Sequence, residues 1–444
     1  LFFSGIGGSG MSAIAGFMAD RGHRVFGSDR LFDAFPDHPI CTILKAKGAV
    51  IVPQDGSGID RSFDAAIFST AVEDNQPEVV KAKCLGVPMN TRPEYLAEIV
   101  SAFRTVAVAG TSGKSTTAGM LAFIMKQLGL QPNFIGGGRV RQFKTQSNPG
   151  NSLAGSSDLL VIEACESDGS IINYRPFFSI IANVSLDHTT IGKVSMMFES
   201  FGRNTKEITA VNGDDTHLSR CHFENPVWFS IDTESAYRPE AVEYGLLSTT
   251  FRLHGADFTL SLPGKYNCYN ALSCIALLAE MGMPLRDISG VLPDFSGIER
   301  RFDIHLNGGR HLVIDDYAHN PHKIASLMET VKSISPGICY IFQPHGFGPT
   351  RLMKQGYIDT FIQHLRREDH LILLPIYYAG GTSQKDIASE DLLTEIQRAG
   401  KSAEVLPDRR QLFCRLQEWD HYVVFGARDD SLRNFAQEIA ERLK

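Results

Sequence analysis

Two glycine loops carry the residues best suited to chemistry. Gly5-Ile-Gly-Gly-Ser-Gly10 and Gly110-Thr-Ser-Gly-Lys-Ser115 each follow an apolar run and each lead into a helically patterned segment. In both, a turn poor in side chains lets backbone N–H groups approach oxygen atoms, and the following helix directs its positive dipole end at the same anion. Only the second loop carries a lysine and a hydroxyl. That asymmetry points to a bound diphosphate at the first loop and a reacting triphosphate with its metal at the second.

The first loop fits G-x-G-x-x-G through Gly5, Gly7 and Gly10, with Asp29 nineteen residues beyond. A nicotinamide dinucleotide is one ligand for such a loop, which leaves an NAD(P)-dependent oxidoreductase open as a reading; any diphosphate is another, because small residues and a helix N-terminus recognise pyrophosphate whatever it carries. The second loop departs from the full G-x-x-x-x-G-K-[ST] pattern, since Val108 stands at the first glycine position. Lys114 and Ser115 still sit where a helix begins. Lys114 can neutralise β and γ phosphates, Ser115 can ligate Mg²⁺, and the backbone from Thr111 to Lys114 can cradle oxygens. Glu163, Glu166 and Asp168 follow one apolar run, while Asn183, Asp187 and His188 follow the next. Hard oxygen ligands beside a phosphate loop suit magnesium, which accepts one or two carboxylates and completes its octahedron with phosphate and water.

These groups need a scaffold that brings strand ends together. Leu1 to Ser4, Arg24 to Gly27 and Ala65 to Ser69 read as strands around a helix from Met11 to Asp20, an alternation that predicts a parallel sheet. The pattern restarts with a strand at Thr105 to Ala109 and a helix from Thr116 to Leu128, followed by strands at Leu159 to Glu163 and Ser179 to Asn183. It restarts again after Arg300 and Arg301, with strands at His311 to Ile314, Ile338 to Phe342, His370 to Leu374 and Tyr422 to Phe425. The fold class expected is therefore α/β, with polar residues at the carboxyl ends of strands, where open sheets hold ligands.

Composition sets the limits. A chain of 444 residues, 43% hydrophobic and 21% charged, is too long for one ordinary core, so two or three domains are expected. A formal net charge of -7 gives no general electrostatic reason to bind nucleic acid or an anionic membrane. The eight cysteines are scattered without CxxC pairs, which suits reduced thiols and a cytoplasmic location. No run of eighteen apolar residues predicts a membrane span.

Taken together, Ala109-Gly-Thr-Ser-Gly-Lys-Ser-Thr-Thr117, Glu163-Ala-Cys-Glu-Ser-Asp168, Asn183-Val-Ser-Leu-Asp-His188, Asn267-Cys-Tyr-Asn270, Arg300-Arg-Phe-Asp303 and Asp315-Asp-Tyr-Ala-His-Asn-Pro321 resemble the Mur ligase family in order and spacing. The alanine-adding branch is also similar in Gly5 to Met11, Gly27-Ser-Asp29 and Phe342-Gln-Pro-His345, and the shortened phosphate loop is the family's own. The resemblance implies three domains: a Rossmann-like unit over residues 1–102 for a UDP-sugar, a central P-loop ATPase with a mostly parallel sheet over 103–298, and a Rossmann-like α/β unit over 299–444 that closes on ATP and binds the incoming amine. It implies an ATP- and Mg²⁺-dependent amide ligase of peptidoglycan precursor synthesis, acting on the carboxylate of UDP-N-acetylmuramate through an acyl phosphate. A monomer or weak dimer is expected, with small-molecule partners only.

By position, the resemblance assigns Lys114, Glu163 and His188 to catalysis and Ser115, Glu163 and His188 to the metal. It assigns Gly110, Thr111, Ser112, Gly113, Lys114, Ser115, Thr116, Asn270, Arg301, Asp316 and His319 to ATP. Gly7, Gly8, Ser9, Gly10, Met11, Ser28, Asp29, Ser69 and Thr70 fall where the UDP-sugar is held. The sequence departs from the alanine-adding pattern at Ser112, where histidine is usual, and at His319-Asn320-Pro321, where His-His-Pro is usual. Phe198 to Arg203 has no lysine for carbamylation. The acceptor therefore stays open among L-alanine, a recycled cell-wall peptide such as a tripeptide, and another amine.

Overall fold

The computed structural model describes residues 1–185, 190–332, 337–378 and 384–444. These divide into two compact units, one of residues 1–262 with 266–298 and one of residues 299–444 with 263–265.

The first unit contains one parallel sheet, one mostly parallel sheet and a small antiparallel one. Phe2–Ser4, Phe26–Ser28, Val50–Ile51, Ala66–Phe68 and Met89–Thr91 form a five-stranded sheet in the order Val50–Ile51, Phe26–Ser28, Phe2–Ser4, Ala66–Phe68, Met89–Thr91. All its pairings are parallel. The strand order reverses direction at Phe2–Ser4, and open parallel sheets hold ligands beyond the carboxyl ends of the strands at such a point. Both faces are covered, which is why these short strands read as apolar runs with no alternation: Phe2, Phe3, Ala66 and Ile67 are fully buried.

The second sheet has seven strands, in the order Pro226–Phe229, Ile208–Asn212, Phe178–Ile181, Arg104–Ala109, Leu159–Glu163, Asn133–Ile135, Ser152–Leu153. Every pairing is parallel except the last. Helix Lys114–Gln127 leaves the central strand and buries nearly its whole length, from Thr116 to Met125, against this sheet and helix Lys265–Glu280. An antiparallel meander, Ala241–Tyr244, Thr249–Leu253 and Ala256–Leu260, is added to the same unit. Nothing in the parallel alternation anticipates it.

The second unit is a six-stranded sheet in the order Asp303–Gly308, His311–Asp316, His421–Gly426, Ile338–Gln343, His370–Leu373, Ala403–Val405, parallel except at its first pair. The strand expected at Arg24 to Gly27 runs from Phe26 to Ser28, with Arg24 exposed and Val25 buried just before it. Helix Lys114–Gln127 begins two residues earlier than expected, because Gly113 supplies a left-handed N-cap that admits Lys114 as first helical residue. All eight cysteines are free. No helix among the described residues is long and apolar enough to cross a membrane.

Candidate functional site

The lysine loop is built by two unusual backbone conformations. Gly110 has φ of 141° and Gly113 has φ of 84°, so the chain leaves strand Arg104–Ala109, turns sharply and enters the helix with its first N–H groups pointing into the loop. A side chain at Gly113 would meet Asn270 Oδ1 at 2.6 Å. The neighbouring strand end braces the turn. Asn183 Oδ1 accepts from Ser112 N and from Thr111 Oγ1, both at 2.9 Å, and its amide donates to Ser112 O at 3.0 Å. Thr111 Oγ1 also lies 2.8 Å from Ser185 Oγ.

Lys114 folds back over the loop. Its ammonium donates to Gly110 O at 2.5 Å and to Glu166 Oε2 at 2.8 Å, and Glu166 is only 4% exposed. Burial by itself would lower the lysine pKa, but Glu166, with Cys165 and Glu163 behind it, outweighs burial and holds the ammonium above the ordinary lysine value. The Glu166 carboxylate thus stands where a phosphate oxygen can compete for the lysine.

One residue along, Ser115 Oγ donates to Glu163 Oε2 at 2.9 Å, while Glu163 Oε1 accepts from Gly137 N at 2.7 Å and Gly138 N at 3.1 Å. A Cβ at Gly138 would fall 2.9 Å from that of Ser115, and one at Gly136 would fall 3.0 Å from Glu163 Oε1. The Gly136–Gly138 run is therefore what lets the Ser115–Glu163 pair form. Sequence reasoning passed over it, although three consecutive glycines after a strand were a visible signal of close approach. His188, assigned to catalysis and to the metal, lies outside the described residues.

Asn270 is buried beneath the loop. Its Oδ1 accepts from Thr117 Oγ1 at 3.1 Å and its amide donates to Asn267 Oδ1 at 3.3 Å. Thr116 is buried as well. Asn270 thus supports the turn from behind.

At the first loop, Ser28 O accepts from Gly5 N at 2.9 Å and Ile6 N at 3.1 Å. Gly5 has φ of 77°, and a Cβ there would fall 3.0 Å from that of Ser69. Asp29 Oδ2 accepts from Gly7 N at 2.8 Å, and Oδ1 from Leu31 N at 2.9 Å, which caps helix Arg30–Ala34. Each oxygen thus takes one backbone N–H and keeps further acceptor capacity. Gly8, Ser9 and Thr70 are exposed, Gly7, Gly10 and Ser69 half-buried, and Met11 buried in the core behind the loop. The Ser28 side chain is fully buried beside Glu78, so Ser28 serves the loop through its carbonyl.

In the second unit, Asp316 accepts at both oxygens, from Phe302 N and Ala318 N at 2.7 Å each. Burial raises its pKa, against the pull of Arg301. Arg301 lies over the Tyr317 ring at 4.7 Å. His319 donates through Nδ1 to Tyr317 O at 2.8 Å, and burial with Lys323 nearby pushes its pKa down to about 3, so it is neutral near pH 7. Arg300, by contrast, turns inward, donating to Asp315, to Gly426 O at 2.8 Å and to Asp429 O at 3.0 Å. Asp303, His305 and Asp315 also converge within 4.8 Å. Arg300 at 3.2 Å from Asp315 and Arg433 at 3.8 Å from Asp303 already balance their charge.

Residues 2–104 match the Mur ligase family catalytic domain, residues 108–278 the Mur ligase middle domain and residues 300–428 the Mur ligase glutamate ligase domain. The UDP-N-acetylmuramate–L-alanine ligase of Persephonella marina is 32% identical over 464 residues, covering 100% of this chain and 97% of its own. Its counterpart in Burkholderia multivorans is 32% identical over 457 residues, covering 96% of this chain and 95% of its own. Among solved structures, the UDP-N-acetylmuramate–alanine ligase of Thermotoga maritima superposes with a TM-score of 0.81 at 27% identity, over 100% of this chain and 98% of its own. A murein peptide ligase from Psychrobacter arcticus shares the fold, with a TM-score of 0.71 at 21% identity and coverage of 100% and 98%.

Proposed function

The chain belongs to the Mur ligase family, and on that premise we propose that it uses ATP to join an amino acid or peptide amine to the carboxylate of UDP-N-acetylmuramate, with L-alanine the first acceptor to test. The observation that carries this reading is the pairing at one strand end: Lys114 against Glu166 and Ser115 against Glu163, at the mouth of a glycine turn.

A carboxylate is a poor electrophile until one of its oxygens becomes a leaving group. Its oxygen attacks the γ-phosphorus of ATP, ADP departs, the amine nitrogen then attacks the acyl carbon, and inorganic phosphate leaves with the amide formed. The residues present fit ATP and magnesium: a left-handed glycine where a Cβ would meet Asn270 Oδ1 at 2.6 Å, a lysine aimed along the loop, and a hydroxyl and carboxylate 2.9 Å apart as hard oxygen donors. Ser115 and Glu163 would hold the metal, which supplies charge neutralisation at the phosphates. Lys114 leaves Glu166 for phosphate oxygens and stabilises charge on the transferred group. Gly137 and Gly138 fix the Glu163 rotamer for its task.

We assign residues 1–102 to the sugar nucleotide, 103–298 to ATP and 299–444 to the third domain, which supplies Arg301, Asp316 and His319 and receives the amine; the protein works in the cytoplasm. The test is phosphate release measured over a panel of amino acids and peptides. Release that requires UDP-N-acetylmuramate and an amine together is expected. Release that proceeds without either substrate rejects the reading.

A further inference from the structure

The segment after strand Leu159–Glu163 carries three carboxylates, and each goes to a different place. Glu163 meets Ser115, Glu166 meets Lys114, and Asp168 reaches away from the lysine loop to Arg92, with Arg92 Nη2 and Asp168 Oδ2 at 3.0 Å. Arg92 opens helix Arg92–Ala102, which directly follows the edge strand Met89–Thr91 of the five-stranded sheet. It therefore belongs to the same domain as the first glycine loop.

The guanidinium does not merely cross between sheets. A Cβ placed on Gly10 would meet Arg92 Cδ at 3.2 Å, Nη1 at 3.6 Å and Nε at 3.7 Å. Gly10 is thus the residue that lets the arginine lie along the loop. A guanidinium has five N–H donors in a rigid fork. The ion pair engages Nη2, and Nη1 and Nε run beside Gly10, where backbone and helix dipole already favour a diphosphate. Asp168 is itself held in place, because its Oδ1 accepts from Ser170 N at 3.0 Å and from Ser170 Oγ at 2.5 Å. The side chains of Arg92 and Asp168 are each 22% exposed, so the pair is neither a solvated surface contact nor a sealed core bridge.

We propose that Arg92 is an anion-binding residue for the diphosphate of the sugar nucleotide, and that Asp168 is the positioning residue that holds it along the Gly10 loop and ties that loop to the carboxylate segment serving Lys114 and Ser115. The proposal rests on the sugar-nucleotide reading given above. It gives the first loop the cation that its own sequence lacks. It also makes the two ligands thermodynamically coupled, since exchange of Lys114 from Glu166 to phosphate acts on the segment that fixes Arg92, and coupling of this kind is reciprocal.

The test is calorimetric titration of the full chain with UDP-N-acetylmuramate, with and without a non-hydrolysable ATP analogue and Mg²⁺. It uses the wild type, Asp168→Asn, Arg92→Met, Arg92→Lys and the Arg92→Met/Asp168→Asn double variant. Asp168→Asn is expected to weaken sugar-nucleotide binding about fivefold, to leave ATP-analogue affinity in the absence of sugar unchanged, and to abolish the effect of the analogue on sugar affinity. Arg92→Met is expected to weaken binding about tenfold or more, the double variant no further, and Arg92→Lys to restore only part of the loss, because an ammonium lacks the fork. Unchanged sugar affinity in Asp168→Asn and Arg92→Met, or strictly additive losses in the double variant, overturns the proposal while leaving the ligase reading intact. Failure of the wild type to bind UDP-N-acetylmuramate overturns the sugar-nucleotide reading itself and this inference with it. Melting temperatures of all five proteins separate loss of binding from loss of fold.

Discussion

The Gly5–Gly10 loop and the Gly110–Gly113 loop leave parallel strands in the same manner, yet a carboxylate occupies each in a different way. At the first, Asp29 accepts from Gly7 N in the loop and from Leu31 N, the latter bond capping helix Arg30–Ala34. At the second, Glu166 holds an ammonium on a flexible stem. A phosphate can take the lysine from Glu166 by a side-chain rotation, whereas releasing Asp29 gives up a helix cap. The first loop is thus a fixed cradle and the second an exchangeable one, which is what a bound substrate portion and a reacting phosphate respectively require.

The comparison breaks most readily at Lys114. Lys114→Met is expected to lower turnover about a thousandfold while sugar-nucleotide affinity stays near wild type, measured by phosphate release alongside calorimetry. Comparable loss of sugar binding would show that the two loops do not divide the labour. Next in size is Glu163→Gln. It keeps the shape against Ser115 and the Gly137 and Gly138 N–H groups but removes the charge, so about ten- to a hundredfold more Mg²⁺ should be needed to reach half-maximal rate. An unchanged magnesium requirement would remove Glu163 from the metal corner.

The glycines sharpen the same contrast. Gly113→Ala places a Cβ 2.6 Å from Asn270 Oδ1 at a φ of 84°, and both faults together should cost about 2–3 kcal/mol of stability. Gly7→Ala meets the ends of Asp29 and Phe32 at 2.9 and 3.0 Å and carries no positive φ, so about 1 kcal/mol is expected. Chemical unfolding of both variants gives the ratio directly. A larger loss at Gly7 would mean that the Asp29 cap, not the lysine turn, is the tighter structure.

Both loops were legible in the sequence because glycine spacing and flanking apolar runs are local signals. The strands at Leu159–Glu163 and His311–Asp316 were visible for the same reason, since buried parallel strands read as continuous apolar blocks. What was not legible depends on distance along the chain. The Gly136–Gly138 contact with Glu163 spans 25 or more residues, and the Arg92–Asp168 pair spans 76. No periodicity announces either. The meander at 241–260 is a different case, for Thr249–Leu253 and Ala256–Leu260 alternate inward and outward across a His254-Gly255 turn with both φ values positive. A two-residue His-Gly turn is a weaker hairpin signal than Asn-Gly or Asp-Gly, and a pattern of parallel alternation does not call for it. Asn270 shows a third limit: its type and place were readable, but only the fold shows that it lies under Gly113.

The smallest expected effect lies beneath the first loop and tests how fixed that cradle is. Glu78 is fully buried, accepts from Ser4 Oγ, and faces Ser28, while its Oε1 and the Ser28 Oγ lack a hydrogen bond of normal geometry. Burial raises its pKa above the ordinary glutamate value, with Ser28, Ser4 and Gln54 pulling the other way. The folded protein therefore keeps this proton to higher pH than the unfolded chain, binds more protons between the two pKa values, and loses stability as pH rises through that window. Glu78→Gln mimics the protonated acid, keeps an acceptor for Ser4 and offers an amide donor to Ser28, so at a pH below the ordinary glutamate value, where both folded and unfolded Glu78 are protonated, the two proteins should lie within about 1 kcal/mol of each other. As pH rises the wild type should lose stability relative to the variant, read from unfolding midpoints across a pH series. A variant that instead falls behind the wild type with rising pH would mean that Glu78 is ionised beneath Ser4 and Ser28, and that the floor of the first cradle carries a charge as exchangeable as the one facing Lys114.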